Sequence, residues 1–96
     1  MTVGIFSTLK VKPGMNKLFE ERFAEQAANC KANEPGQLLY KLFRSRADTQ
    51  TYHIMAMYVD AAAHAAHRDS EHLKKTIAGT RECFSAPSQP IFFDGV

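Results

Sequence analysis

The chain contains no tryptophan, and its two cysteines, Cys30 and Cys83, stand apart with no CxxC spacing between them. Glycine-rich fingerprints are missing too: there is no GxGxxG, no Walker loop, no GxSxG elbow and no HExxH pair. Nicotinamide, flavin and ATP sites therefore have no sequence support, and a simple hydrolase is disfavoured. Neither sign of charge dominates. Twelve Lys and Arg against ten Asp and Glu leave a formal net charge of +2. The basic residues are scattered (Lys10 with Lys12, Lys41 with Arg44 and Arg46, Lys74 with Lys75), which suits solvated faces rather than a phosphate track. No apolar run reaches membrane-spanning length, and Met1-Thr2-Val3-Gly4 has no basic stretch leading into an apolar one. These absences predict a cytoplasmic protein with no nucleic-acid or membrane partner, no cofactor and no metal ligand set.

What is present is punctuation. Two Pro-Gly doublets, Pro13-Gly14 and Pro35-Gly36, bracket one amphipathic stretch, and each doublet reads as a turn because Pro fixes φ while Gly tolerates positive φ. Before the bracket, Val3 to Val11 alternates as a strand, with Val3, Ile5, Ser7, Leu9 and Val11 on one face. Inside it, Met15, Leu18, Phe19, Phe23, Ala27 and Cys30 recur at three- and four-residue steps, predicting a helix from about Met15 to Ala32. On that stripe Cys30 reads as a small buried hydrophobe. After the bracket, Leu38 to Arg46 and Thr51 to Val59 form a hairpin across Ala47-Asp48-Thr49-Gln50. Asp60 caps a helix over Ala61 to His67, and Asp69 or Ser70 starts a second piece that Gly79 ends. Ile91-Phe92-Phe93 supplies the last strand.

Ninety-six residues make one domain, residues 1–96. The order β-α-β-β-α-β predicts an α+β ferredoxin-like sandwich, with helices on one side of an antiparallel sheet. Both faces of the hairpin strands are apolar. A chain this short can cover only one of them with its own helices, so the other predicts a homodimer.

Histidine is the one enrichment that bears on chemistry. His64 and His67 share a helix face that Glu71 would continue, and His72 follows; that set completes no ligand pattern, so no metal is assigned. A pocket histidine that titrates near neutrality suits acid–base work, which favours His67. Tyr40, Tyr52 and Tyr58 lie on the sheet. Tyrosine hydroxyls and imidazoles around an apolar cavity suit a planar aromatic ligand, so Tyr40, Tyr52, His64 and His72 join Tyr58 as candidate contacts. Ser7 is a further candidate, the single polar side chain in its apolar row.

Several of these stretches carry a likeness. Leu9-Lys10-Val11-Lys12-Pro13-Gly14 with Phe19 and Phe23, Asn33-Glu34-Pro35-Gly36 leading to Leu39-Tyr40-Lys41-Leu42, and Tyr58-Val59-Asp60 followed by Ala62-Ala63, His67 and Ser70-Glu71-His72 together resemble the antibiotic biosynthesis monooxygenase family. The resemblance implies a dimeric ferredoxin-like α/β barrel with a cavity between sheet and helices. It also implies a cofactor-free oxygenation of a quinol, anthrone or similar phenol, in which the substrate itself reacts with dioxygen. His67 would then transfer the proton or stabilise the phenolate, with Tyr58 in contact with substrate. This chain departs from many relatives in having Tyr58 in place of a tryptophan and Ala56 in place of a glutamate. The haem-degrading branch's asparagine, tryptophan and histidine fall at Ser7, Tyr58 and about Ile77, which disfavours haem degradation. Small-molecule isomerisation in the same pocket, and ligand binding without turnover, are the alternatives.

Overall fold

The alternation along Ile5, Ser7 and Leu9 decides where the two layers meet. In the computed structural model, which describes residues 1–96, that row faces the helices. Strand β1 (Val3–Lys10) is followed by helix α1 (Asn16–Asn33), strands β2 (Gln37–Arg44) and β3 (Thr51–Tyr58), helices α2 (Ala61–Asp69) and α3 (Glu71–Thr80), a 3-10 turn (Arg81–Cys83) and strand β4 (Gln89–Asp94). The four strands form one antiparallel sheet in the order β2-β3-β1-β4. This is the expected ferredoxin-like arrangement, with α2 and α3 as the two expected pieces of the second helical segment.

Register places the inward row of each strand side by side. Ile5 pairs with Ala56 and Phe92, Ser7 with Ile54 and Pro90, and Tyr40 with Ala56. From α1 the sheet receives Phe19 and Phe23, whose spacing gives one buried stripe ending at Cys30. Leu9, Val11, Phe19, Tyr52 and Cys83 form the closed core at one end, with Phe19 set edge-on to Tyr52 and Phe84 at centroid distances of 5.1 and 5.4 Å. Gln26 is also buried on that stripe; Thr76 Oγ1 donates to its Oε1 at 2.7 Å, so it ties α1 to α3.

The two Pro-Gly doublets do different things. Gly14 takes the expected positive φ, 85°. Gly36 does not; a Cβ there would lie 2.7 Å from Ala63 Cβ, so the glycine is needed for close approach of the β2 entry to α2. Gly79 does not end its helix. It lies within α3, where its carbonyl accepts from Arg22 Nη1 at 2.5 Å. Strand β2 stops at Arg44, short of Arg46, because Ser45 and Asp48 fold the connection on themselves, and β3 stops at Tyr58, one residue short of Val59, just ahead of the Asp60 cap of α2.

The outward face of the sheet stays bare in the single chain. Leu39, Phe43, Met55, Met57, Ile91 and Phe93 are all exposed on it.

Candidate functional site

Beyond the closed core, sheet and helices separate around a cavity of about 730 Å³. Its walls are mostly apolar, from Ile5, Leu9, Phe23, Ile54 and Ala56 to Leu73 and Ile77. A pocket of this size and character is large enough for a drug-sized molecule. Polar groups interrupt the walls, including the hydroxyls of Thr76, Thr80, Ser85 and Ser88. Ser7, Tyr40, Tyr58, His64 and His67 all reach the lining, as do Arg68 and Arg81, and no carboxylate does.

The break between α2 and α3 builds the helix side of the site. Asp60 caps α2 by accepting from the Ala63 amide at 2.8 Å. Ser70 then ends one helix and starts the next: its hydroxyl donates to the His67 carbonyl at 2.7 Å and accepts from the Leu73 amide at 3.3 Å. The chain turns there, and His67 and His72, five residues apart, converge on one carboxylate. His67 Nδ1 lies 2.9 and 3.0 Å from the two oxygens of Glu34, and His72 Nε2 meets Oε2 of the same group. An ionised carboxylate only accepts, so both imidazoles donate. Desolvation works against the charged form of Glu34, but the hydrogen bonds from His67, His72 and Cys30 outweigh it and hold its carboxyl below the usual range.

This fixes the tautomer of His67. In the neutral ring, with Nδ1–H given to Glu34, Nε2 carries the lone pair, and no group of the chain bonds that nitrogen. The ring stands at the cavity wall between two phenols, with centroids 5.5 Å from both Tyr40 and Tyr58. Tyr58 is almost wholly buried, its hydroxyl accepts from Gln37 Nε2 at 3.1 Å, and desolvation pushes its ionisation far above the usual tyrosine range. The same cause raises Tyr40. His64 packs against Tyr58 and Phe92 at 5.2 and 5.9 Å, and desolvation, followed by the nearby Arg68 guanidinium, lowers its pKa. The Ser7 hydroxyl makes no hydrogen bond within the chain, although the residue lines the cavity.

Two candidates stand elsewhere. Tyr52 is spent in the closed core: its hydroxyl donates to Glu20 and accepts from Asn16 Nδ2 at 2.9 Å, so it is a packing residue and not a cavity contact. His72 lies behind His67, on the far side of the Glu34 carboxylate, in a polar cleft rather than the cavity. Glu71, offered by spacing as part of the histidine face, points to solvent and pairs with Lys74.

Sequence reasoning missed Glu34, which it treated only as a turn residue beside Pro35-Gly36. It also missed the surroundings of Cys30, whose Sγ lies 3.8 Å from both His67 Nδ1 and His72 Nε2. A carboxylate four residues after an inward-facing cysteine, at the end of a helix, was the signal available.

The fold and cavity define a ferredoxin-like α+β protein with an apolar chamber between sheet and helices. The model of the family described as antibiotic biosynthesis monooxygenase matches residues 2–79, and the chain belongs to that family. A solved structure of such a protein from Caulobacter crescentus is 32% identical, with a TM-score of 0.96 over 99% of this chain and 90% of that one. A second, from Nitrosomonas europaea, is 17% identical with a TM-score of 0.93 over 99% and 90% of the two chains. A conserved protein from Methanosarcina mazei is 15% identical with a TM-score of 0.90 over 97% and 91%. The last two speak for the fold alone. No curated protein matches the chain.

Proposed function

We propose that this protein is a cofactor-independent monooxygenase acting on a quinol, an anthrone or a similar phenol. The observation that carries the reading is the position of His67: its Nδ1 is held by Glu34 and its free Nε2 belongs to a residue of the apolar cavity wall. A base oriented by a carboxylate suits abstraction of a phenolic proton. Arg68, Arg81 and the absence of any carboxylate from the lining favour the resulting anion. The electron-rich carbon of the phenolate then bonds to dioxygen. The O–O bond breaks, one oxygen stays on the ring carbon and the other leaves as water with the protons lost by the substrate. All four electrons that reduce dioxygen come from the substrate, so no external reductant is consumed. Tyr58 and Tyr40 flank His67 and pack the ring of the substrate, and Ser7 offers it a hydroxyl.

The bare outer face of the sheet supports a homodimer joined there, because six large apolar side chains exposed on one surface are unusual for a monomer. Sedimentation at micromolar concentration tests that assembly; a strict monomer rules it out.

Oxygen uptake tests the reaction itself. Chelator-treated protein with a panel of anthrones and quinols is expected to consume oxygen above the autoxidation rate, and His67→Ala to lose most of the excess. No uptake across the panel, or uptake indifferent to His67→Ala, refutes the proposal and directs attention to anaerobic turnover or simple binding.

A further inference from the structure

On the side of His67 away from the cavity, four metal-capable side chains meet. Cys30 Sγ, a Glu34 carboxylate oxygen, His67 Nδ1 and His72 Nε2 all lie within 4.8 Å of one another. They come from the last turn and C-cap of α1, the last turn of α2 and the first turn of α3. All four are withdrawn from solvent: Cys30 is fully buried, Glu34 and His67 expose 9% of their side chains, and His72 exposes 17%.

We infer that these residues form a closed, tetrahedral binding site for a zinc-type divalent cation. One thiolate, two imidazoles and one carboxylate are the donors that such an ion takes, and they are the wrong set for calcium or magnesium, which prefer oxygen alone. The spacing agrees. With metal–sulfur and metal–nitrogen bonds of ordinary length, the S–N edge of a zinc tetrahedron is about 3.6 Å. Both S–N edges here are 3.8 Å. The carboxylate sits closer to the imidazoles, at hydrogen-bond distance. It must withdraw by about 0.4 Å from His67 and by up to about an ångström from His72 when the ion replaces the two N–H protons, a movement that its flexible side chain allows.

An approach for the ion exists as well. A polar cleft of about 870 Å³ runs from Glu34 and His72 to the helix surface, and Glu25 and Glu71 line it. It is separate from the apolar cavity, which neither Glu34, His72 nor Cys30 lines. Four protein ligands leave no open coordination position, so the ion is structural and pins α1 to the α2–α3 break. This inference does not depend on the monooxygenase reading, and its test reads no turnover.

Cobalt(II) replaces zinc in such sites and reports its ligands by absorption. Titrating the chelator-treated protein with cobalt(II) is expected to give one equivalent bound, intense tetrahedral d–d bands, a thiolate-to-cobalt charge-transfer band and a raised melting temperature. Cys30→Ser should abolish the charge-transfer band. His72→Gln should weaken binding at least about tenfold, since even changes to residues behind a ligand cost 10–100-fold. His53→Ala, on the outer face of the sheet, should change nothing. Circular dichroism verifies that each variant folds, and if Cys30→Ser does not, His72→Gln alone decides. Absence of the charge-transfer band in the wild-type protein overturns the proposal. So does its survival in folded Cys30→Ser, or binding of full affinity in folded His72→Gln.

Discussion

Replacing Glu34 by glutamine tests whether an ionised carboxylate holds the two imidazoles. The shape is conserved and only the charge is lost. In the metal-free protein Glu34 accepts from His67 Nδ1 and His72 Nε2. Hydrogen bonds to a charged group contribute about 1.5–3 kcal/mol each and neutral ones about 0.5–1.5 kcal/mol. Glutamine can still accept from His67 through Oε1 and donate to His72, provided that His72 changes tautomer. Two charged bonds thus become two neutral ones, a loss of roughly 2 kcal/mol, reduced by the smaller desolvation cost of a neutral amide to about 1–2 kcal/mol. With a urea m-value of about 1–3 kcal/mol/M for a domain of this size, the midpoint falls by roughly 0.5–1 M. Glu34→Ala should cost more, about 3–5 kcal/mol, because it leaves two imidazole N–H groups facing a void. Urea unfolding followed by circular dichroism, in the presence of chelator at neutral pH, measures both. Oxygen uptake should fall modestly in Glu34→Gln, where Oε1 preserves the His67 tautomer, and at least about tenfold in Glu34→Ala, where nothing does. A Glu34→Gln variant as stable as the wild type, or more stable, would refute the reasoning, since the buried charge would then be a burden rather than a tie.

Gly36→Ala brings a Cβ to 2.7 Å from Ala63 Cβ and should cost about 1–3 kcal/mol in urea unfolding, with Ala63→Gly in the same chain restoring part of it. An unchanged midpoint in the single variant shows that α2 moves aside freely. Burial raises the ionisation of all three tyrosines, Tyr40, Tyr52 and Tyr58. The folded chain therefore keeps phenolic protons that the unfolded chain loses near pH 10, so this contribution to stability is complete below about pH 10 and declines as the pH rises above it. Phenolate absorbance should accordingly rise only together with alkaline unfolding; a tyrosine titrating near pH 10 in a chain with native circular dichroism contradicts the burial. Loading the Cys30–Glu34–His67–His72 cluster with zinc should slow oxygen uptake on weakly acidic phenols, reversibly with chelator. Nδ1 on the ion forces the proton onto Nε2, which can then donate to a phenolate but no longer accept a proton.

The fold was legible because periodicity and turn chemistry agree along nearly the whole chain. Phe19 and Phe23 mark one helical stripe, Ile5, Ser7 and Leu9 one strand face, and Asp60 and Ser70 the two helix starts, and each reading holds without the others. The cavity wall was partly legible: Tyr58, Tyr40, His64, His67 and Ser7 reach it from strand faces and helix faces that alternation assigns. Tyr52 shares the face of Tyr58 and alternation cannot separate them. What separates them is distance along the sheet, since Tyr52 pairs with Leu9 at the closed end and Tyr58 with Val3 at the open one. The roles of Gly36 and Gly79 were hidden for a similar reason, because the neighbours that define them, Ala63 and Arg22, are remote in sequence.

The meeting of Glu34 with His67 and His72 shows where such reading stops. Five residues apart, the two histidines would point in different directions on a continuous helix, since neighbours on a helix face recur at three and four. Only the break at Ser70 turns His72 back toward His67, and only the C-cap position of Glu34 brings a carboxylate between them. The consequence reaches across the ring of His67. One nitrogen faces the cluster of Cys30, Glu34 and His72, and the other is left for the cavity. Whatever occupies Nδ1, a carboxylate or an ion, dictates whether Nε2 accepts or donates. The chemistry offered to a ligand under the sheet is thus set from the helix side, by residues that never touch it.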